Sequence, residues 1–128
     1  MSEPVILVER DPRGIATVTL NRPQVNNAYD RNVLQSASDG LKELAQDAAL
    51  RALVLRGNGR HFQAGVDLKF QSELAAMSKE ENDAVSSLLT GLMRDLNAFP
   101  VPTIALIHGA CIGGGTGFAA SCDVVIAS

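Results

Sequence analysis

Apolar positions along the chain fall into two kinds of run. Short continuous or alternating runs stand at Val5-Ile6-Leu7-Val8, Ile15–Leu20, Ala52-Leu53-Val54-Leu55, Thr103–Ile107 and Val124-Val125-Ile126. Such runs predict strands. Between them, Val33, Leu34, Ala37, Leu41, Leu44 and Ala45 recur at helical spacing, as do Val85, Leu88, Leu89, Leu92, Leu96 and Phe99. Each set is the core-facing stripe of an amphipathic helix.

The punctuation between runs sharpens these elements. Asp11-Pro12-Arg13-Gly14 carries Pro at the second and Gly at the fourth position of a turn, so the first two strands read as a hairpin. Residues 21–27 are polar, hold Pro23 and show no period, so they form a loop that Ala28-Tyr29 closes. Asp30 is placed to cap the first helix, and Gly40 weakens that helix by about 1 kcal/mol relative to alanine. Strand, helix and strand over 15–55 predict a right-handed parallel crossover. Gly57-Asn58-Gly59-Arg60 turns the chain. Ser78-Lys79-Glu80-Glu81 fits a capping box, and Pro100 and Pro102 end the helix behind it. Ala52–Leu55 is apolar throughout, which predicts a strand covered on both faces.

The stretch 104–127, IALIHGACIGGGTGFAASCDVVIA, organises the rest. A strand ends at His108-Gly109, and Ala110-Cys111-Ile112 leads into Gly113, Gly114 and Gly115. A small-residue helical stretch and the last apolar run follow. Three glycines strip the turn of side chains, so a ligand can meet bare backbone. A helix starting there would leave its first N–H groups unpaired and pointing outward. That suits an oxygen that gains negative charge. Two other readings compete. Glycine clusters are commonly plain turns or close-packing points. Gly115-Thr116-Gly117-Phe118-Ala119-Ala120 also satisfies G-x-G-x-x-A, a dinucleotide pattern. An irregular connector separates it from its strand, however, and Asp123 comes far too early for the ribose contact.

Composition narrows the class. With 128 residues, 46% hydrophobic and 20% charged, the chain is a globular domain or part of one. A net charge of −3 without a basic run excludes a nucleic-acid partner. No stretch approaches the ~20 apolar residues of a membrane span, and MSEPVILVERD does not read as a signal peptide. Cys111 and Cys122 lie among small apolar residues and read as buried free thiols, which fits a reducing, cytoplasmic setting.

Residues 61–69 hold the remaining candidate chemistry. His61 reads as a ligand or base, or as a solvated or capping histidine; no partner stands at metal spacing. Ala64-Gly65 offers a second low-bulk approach to backbone. Asp67 reads as a helix-start residue bonding backbone, with catalysis as the alternative. Lys69 reads as a surface lysine.

Four ordered segments resemble the crotonase (enoyl-CoA hydratase/isomerase) superfamily. They are Leu20-Asn21-Arg22-Pro23 with Asn27-Ala28; Arg51-Ala52-Leu53-Val54-Leu55-Arg56-Gly57; Phe62-Gln63-Ala64-Gly65-Val66-Asp67-Leu68; and His108-Gly109 through Asp123. The resemblance implies an α/β fold, a spiral of ββα repeats with a mostly parallel sheet opened by an N-terminal hairpin, of which 1–128 is the N-terminal core. It implies an enzyme acting on an acyl-CoA thioester, with coenzyme A entering as part of the substrate and no separate cofactor or metal. The thioester oxygen would accept hydrogen bonds from the N–H of Val66 and of Gly114. Ala64, Gly65, Asp67, Lys69, Gly113, Gly115 and Gly117 would line the substrate and CoA site, with Lys69 approaching the CoA phosphates. Hydration or dehydration of an enoyl-CoA leads. Isomerisation, hydrolysis or dehalogenation with groups beyond residue 128, or non-catalytic acyl-CoA binding, are the alternatives.

Three departures accompany the resemblance. Relatives often carry a basic residue near Val25-Asn26, and this chain has none there. Hydratases commonly carry glutamate at the place of Gly117, and Thr116 beside it could at most hold a water, being a poor base unassisted. Family members also continue past residue 128 with a further catalytic segment and covering helices. The chain therefore reads as a truncated or clipped form, or as one whose cover a partner chain supplies, with the trimer or dimer of trimers of the family expected for the complete protein.

Overall fold

Five strands form one sheet in the order in which they occur in the chain. The computed structural model describes residues 3–128. Strand β1 (Ile6–Arg10) runs antiparallel to β2 (Ile15–Leu20), in a register that sets Ile6 opposite Leu20 and Arg10 opposite Ala16. The hairpin turn closes as the Asp-Pro-Arg-Gly pattern predicts. Asp11 Oδ1 accepts from the Arg13 and Ile15 N–H groups, and Gly14 takes a φ of 84°.

The rest of the sheet is parallel: β2 pairs with β3 (Ala52–Gly57), β3 with β4 (Thr103–Ile107), and β4 with β5 (Val124–Ala127). Helix α1 (Arg31–Ala45) makes the first crossover, and α2 (Leu68–Ala76) and α3 (Lys79–Asn97) make the second. The short α4 (Gly114–Ala120) makes the third. Short bridges, Tyr29 with Val66 and Gln63 with Cys111, add a second extended layer between each strand and its helix. Strand, bridge, helix is the ββα repeat. Among the described residues no helix is long and apolar enough to cross a membrane.

The caps form as the sequence predicts. Asp30 Oδ1 accepts from the Val33 N–H at 3.0 Å. Ser78 and Glu81 exchange side-chain and backbone hydrogen bonds in a complete capping box. The core lies where α1 and α3 pack on each other and on the sheet: Leu34, Leu44 and Leu53 are buried to within 1% of completely. Each such side chain contributes about 2 kcal/mol through burial. At the start of β5, Asp123 latches the strand to its neighbour. Its Oδ2 accepts from the Thr103 N–H at 2.9 Å, and its own N–H donates to Thr103 Oγ1.

Two expectations are corrected. The apolar run in β3 is covered unevenly: Leu53 and Leu55 are buried, whereas Val54 between them is half-buried. Apolar composition reflects β propensity as well as burial. The outer strand β5 leaves Val124, Val125 and Ile126 about half exposed. Cys111 and Cys122 are free but only partly buried, and desolvation pushes both thiols up.

Gly40 sits inside α1, and a methyl group there would meet Val8 Cγ2 at 3.7 Å, an ordinary contact. Gly40→Ala is therefore expected to stabilise the chain by about 0.5–1 kcal/mol in urea denaturation. A loss of stability would mean that the α1–β1 contact is tighter than this geometry.

Candidate functional site

Two segments meet edge to edge: Phe62–Asp67, which follows β3, and His108–Gly114, which follows β4. The seam is built from main chain. Phe62 N–H donates to His108 O at 2.8 Å, Gln63 N–H to Ala110 O at 3.1 Å, and Ile112 N–H to Gln63 O at 3.2 Å. His61 closes one end, its Nδ1 accepting from the Ala110 N–H at 2.8 Å. That bond requires a lone pair on Nδ1 and makes His61 a joint between loops rather than a solvated histidine.

The first segment is held from its other side by the loop before α1. Ala64 N–H donates to Asn26 O, Tyr29 N–H to Gly65 O, and Asp67 N–H to Tyr29 O. In a parallel bridge of this kind, the residue opposite Tyr29 turns its own N–H away from the bridge. That residue is Val66. Among the described residues the N–H groups of Gly65 and Val66 donate to nothing in the protein.

The two segments also meet at Gly65 and Gly113. Both have positive φ, 89° and 55°, which glycine adopts without a steric penalty. A Cβ built on Gly113 would lie 3.5 Å from the Gly65 Cα, and one on Gly65 would lie 3.3 Å from Ile112 O. Bare backbone faces bare backbone, and the next residue on each side is Val66 and Gly114. Gly114 opens α4, and its N–H is unpaired among the described residues. The expectation of several free N–H groups at this turn is corrected: Gly115 N–H donates to Ile112 O, and Thr116 N–H to Gly113 O. Of the first three N–H groups of α4, Gly114 alone is left without a partner among the described residues.

The other candidates fall around this pair. Ala64 and Gly115 flank it. Gln63, fully buried, packs its side chain against Gly115 and leaves Oε1 and Nε2 unpaired. Asp67 caps α2, its Oδ1 accepting from the Phe70 N–H at 3.1 Å while Oδ2 takes the Arg22 guanidinium at 3.2 Å. The Phe70 bond and the guanidinium hold the Asp67 carboxyl below the usual carboxylate range. This is the helix-start role read from the sequence. Lys69 is exposed on the first turn of α2. Thr116 donates its hydroxyl hydrogen to Cys111 O at 3.2 Å. Gly117 faces α3, where Met93 Sδ lies 3.0 Å from the place of a Cβ.

Sequence reasoning passed over three residues. Arg22 binds Ala28 O at 2.6 Å and reaches both helix caps, Asp67 and, at 3.7 Å, Asp30. Asn27 spans two loops. Tyr29 bonds the first segment through its backbone and packs its ring on Gly114. The Asn-Arg-Pro and Asn-Ala pairs were visible in the sequence, but their partners lie tens of residues away.

Known proteins share the sequence and the fold of this chain. The sequence profile described as enoyl-CoA hydratase/isomerase matches residues 10–128. The chain is 37% identical over 117 residues to the human enoyl-CoA hydratase domain-containing protein 2, covering 91% of this chain and 39% of that protein. It is 34% identical to the mitochondrial methylglutaconyl-CoA hydratase of Mus musculus, covering 94% of this chain and 38% of that one. Among solved structures, an enoyl-CoA hydratase of Mycobacterium smegmatis superposes with a TM-score of 0.91 at 38% identity, over 98% of this chain and 48% of that one. An enoyl-CoA hydratase of Shewanella pealeana gives 0.93 at 32% identity, over 96% and 46%. The chain spans 38% to 48% of the length of curated relatives it matches. Ordered motifs, a sheet of the matching topology and a profile match over nearly the whole chain lead to one conclusion: this chain belongs to the enoyl-CoA hydratase/isomerase family, the crotonase superfamily.

Proposed function

We propose that this chain forms the thioester-binding half of an acyl-CoA enzyme of the enoyl-CoA hydratase type. The observation that carries the reading is that the N–H groups of Val66 and Gly114 both lack a partner among the described residues and each follows a glycine of the Gly65–Gly113 contact. A thioester carbonyl oxygen gains negative charge as water adds across the neighbouring double bond and an enolate-like species forms. Two fixed backbone donors stabilise that charge without reorganising, and one such donor contributes about 3 kcal/mol to the transition state. Gly113, Gly115 and Ala64 keep the approach low, and Lys69 offers a cation for the CoA phosphates. Cytoplasmic residence and a trimer or dimer of trimers belong to the same proposal for the complete protein.

Hydration or dehydration of an enoyl-CoA is the leading chemistry. One observation favours a second reading, isomerisation, hydrolysis or dehalogenation on the same scaffold. Gly117 supplies no carboxylate, and the thioether of Met93 stands where its side chain would extend. The acid, base or nucleophile then comes from outside these residues.

Isothermal titration of the 128-residue chain with CoA and with butyryl-CoA tests the shared step. Butyryl-CoA is expected to bind at micromolar strength and about tenfold more tightly than CoA, one added hydrogen-bonded oxygen being enough for that ratio. Equal affinity for the two, or no binding of either, would overturn the reading for this chain.

A further inference from the structure

Tyr29 touches both donor segments, one through its backbone and the other through its ring. Its backbone bridges Val66, and its ring packs on Gly114 so closely that a Cβ there would fall 2.5 Å from a ring carbon and 3.2 Å from the phenol oxygen. A Cβ lies roughly 2.5 Å from its own nitrogen, so the phenol oxygen is within about 6 Å of the Gly114 nitrogen. The ring is fixed from a third side by Phe118 of α4, edge to face, with centroids 6.1 Å apart.

The hydroxyl is otherwise idle. The residue is 9% exposed, yet the phenol oxygen bonds to no protein group among the described residues. It is also absent from the sealed, unpaired side-chain atoms, which among the described residues belong to Gln63 alone. The oxygen therefore reaches the surface beside the donor pair. Phenols packed into a protein ordinarily find a partner, and this one lies within about 6 Å of the Gly114 nitrogen. Burial pushes its ionisation upward. The group is a neutral O–H donor there, not a base.

We propose that Tyr29 donates a third hydrogen bond to the acyl oxygen held by Val66 and Gly114, strongest when that oxygen carries enolate charge. The inference rests on the acyl-CoA reading above. It assigns a contact with the substrate to a side chain, where the two backbone donors cannot be removed by mutation. It also explains why Gly114 carries no side chain: the phenol fills that space.

The test compares the wild-type chain with Tyr29→Phe, using CoA and acetoacetyl-CoA as probes. Acetoacetyl-CoA forms a stable enolate with its own near-ultraviolet absorption, so the charge on the oxygen is read directly. Phenylalanine keeps the ring, its edge contact with Phe118 and its packing on Gly114, and no protein hydrogen bond is lost, so thermal stability should stay unchanged. The expected result is a loss of about tenfold in acetoacetyl-CoA affinity, a weaker bound-enolate band, and unchanged CoA affinity. Wild-type-like affinity and band in Tyr29→Phe would overturn this inference and leave the acyl-CoA reading standing. A wild-type chain that fails to distinguish acetoacetyl-CoA from CoA would overturn the reading and this inference together.

Discussion

Asn27→Ala is expected to remove about 4 kcal/mol of stability from the chain. Asn27 is 1% exposed and has a φ of 59°. Its Oδ1 accepts from the Arg22 N–H at 2.8 Å, and its Nδ2 donates to Asn58 O at 2.8 Å and to His61 O at 2.9 Å. Alanine leaves three part-buried backbone groups without a partner, each such group costing about 1 kcal/mol or more. It also removes the short polar side chain that lets asparagine tolerate left-handed backbone, a conformation that costs alanine about 1 kcal/mol. Asn27→Gly separates the two effects. Glycine removes the same hydrogen bonds but none of the backbone tolerance, so it should cost about 1 kcal/mol less. Urea denaturation of the three proteins at one pH decides the matter. Alanine and glycine variants both within ~1 kcal/mol of the wild type would mean that the Asn27 bonds are replaceable by water. Because Asn27 ties residues 58–61 to the loop that holds Ala64 and Gly65, acyl-CoA binding should fall with stability.

The legible and illegible parts of this chain divide by range. Strands, amphipathic helices and caps follow from neighbours within four residues, and the sequence predicts them well. Asp30 and Asp67 cap helices, and Ser78 with Glu81 closes a box. The glycine turn is also legible, because three consecutive glycines mark a place where backbone can be approached without side chains. What the turn does was only half legible. Local rules predict several free N–H groups at a helix start, but tight turn bonds occupy two of them and leave Gly114. The choice of Val66 came from resemblance, and its free N–H follows only from the bridge to a residue 37 positions earlier, Tyr29. Arg22 is the clearest miss. In sequence it is one more polar residue of a loop, and in the structure it joins two helix caps, one 45 residues away. His61 is similar: its ring nitrogen serves the backbone of Ala110, a bond no local pattern encodes.

The same seam yields the second large effect. Gly109→Ala is expected to cost at least ~4 kcal/mol, a size that single substitutions rarely reach without a named steric cause. Gly109 has a φ of 63°. That alone costs an alanine about 1–2 kcal/mol. A Cβ there would also overlap the Arg60 carbonyl oxygen and lie 2.6 Å from His61 Nδ1. The carbonyl belongs to main chain and cannot swing aside as a flexible side chain would, so the two loops must separate. Separation breaks the Ala110 to His61 bond and strains the Phe62 to His108 bond beside it. Those bonds hold the segments whose next turns carry Val66 and Gly114. Gly40→Ala makes the same chemical change in helix α1 with room to spare, and is expected to shift stability in the opposite direction. The pair therefore tests the seam rather than glycine as such. With domains of this size stable by only about 5–15 kcal/mol, Gly109→Ala should lower the urea midpoint sharply or abolish the cooperative transition, and acyl-CoA binding should vanish with it. A Gly109→Ala chain as stable as the wild type would show that the loops part without cost. The close backbone contact would then not be what sets the two donors side by side.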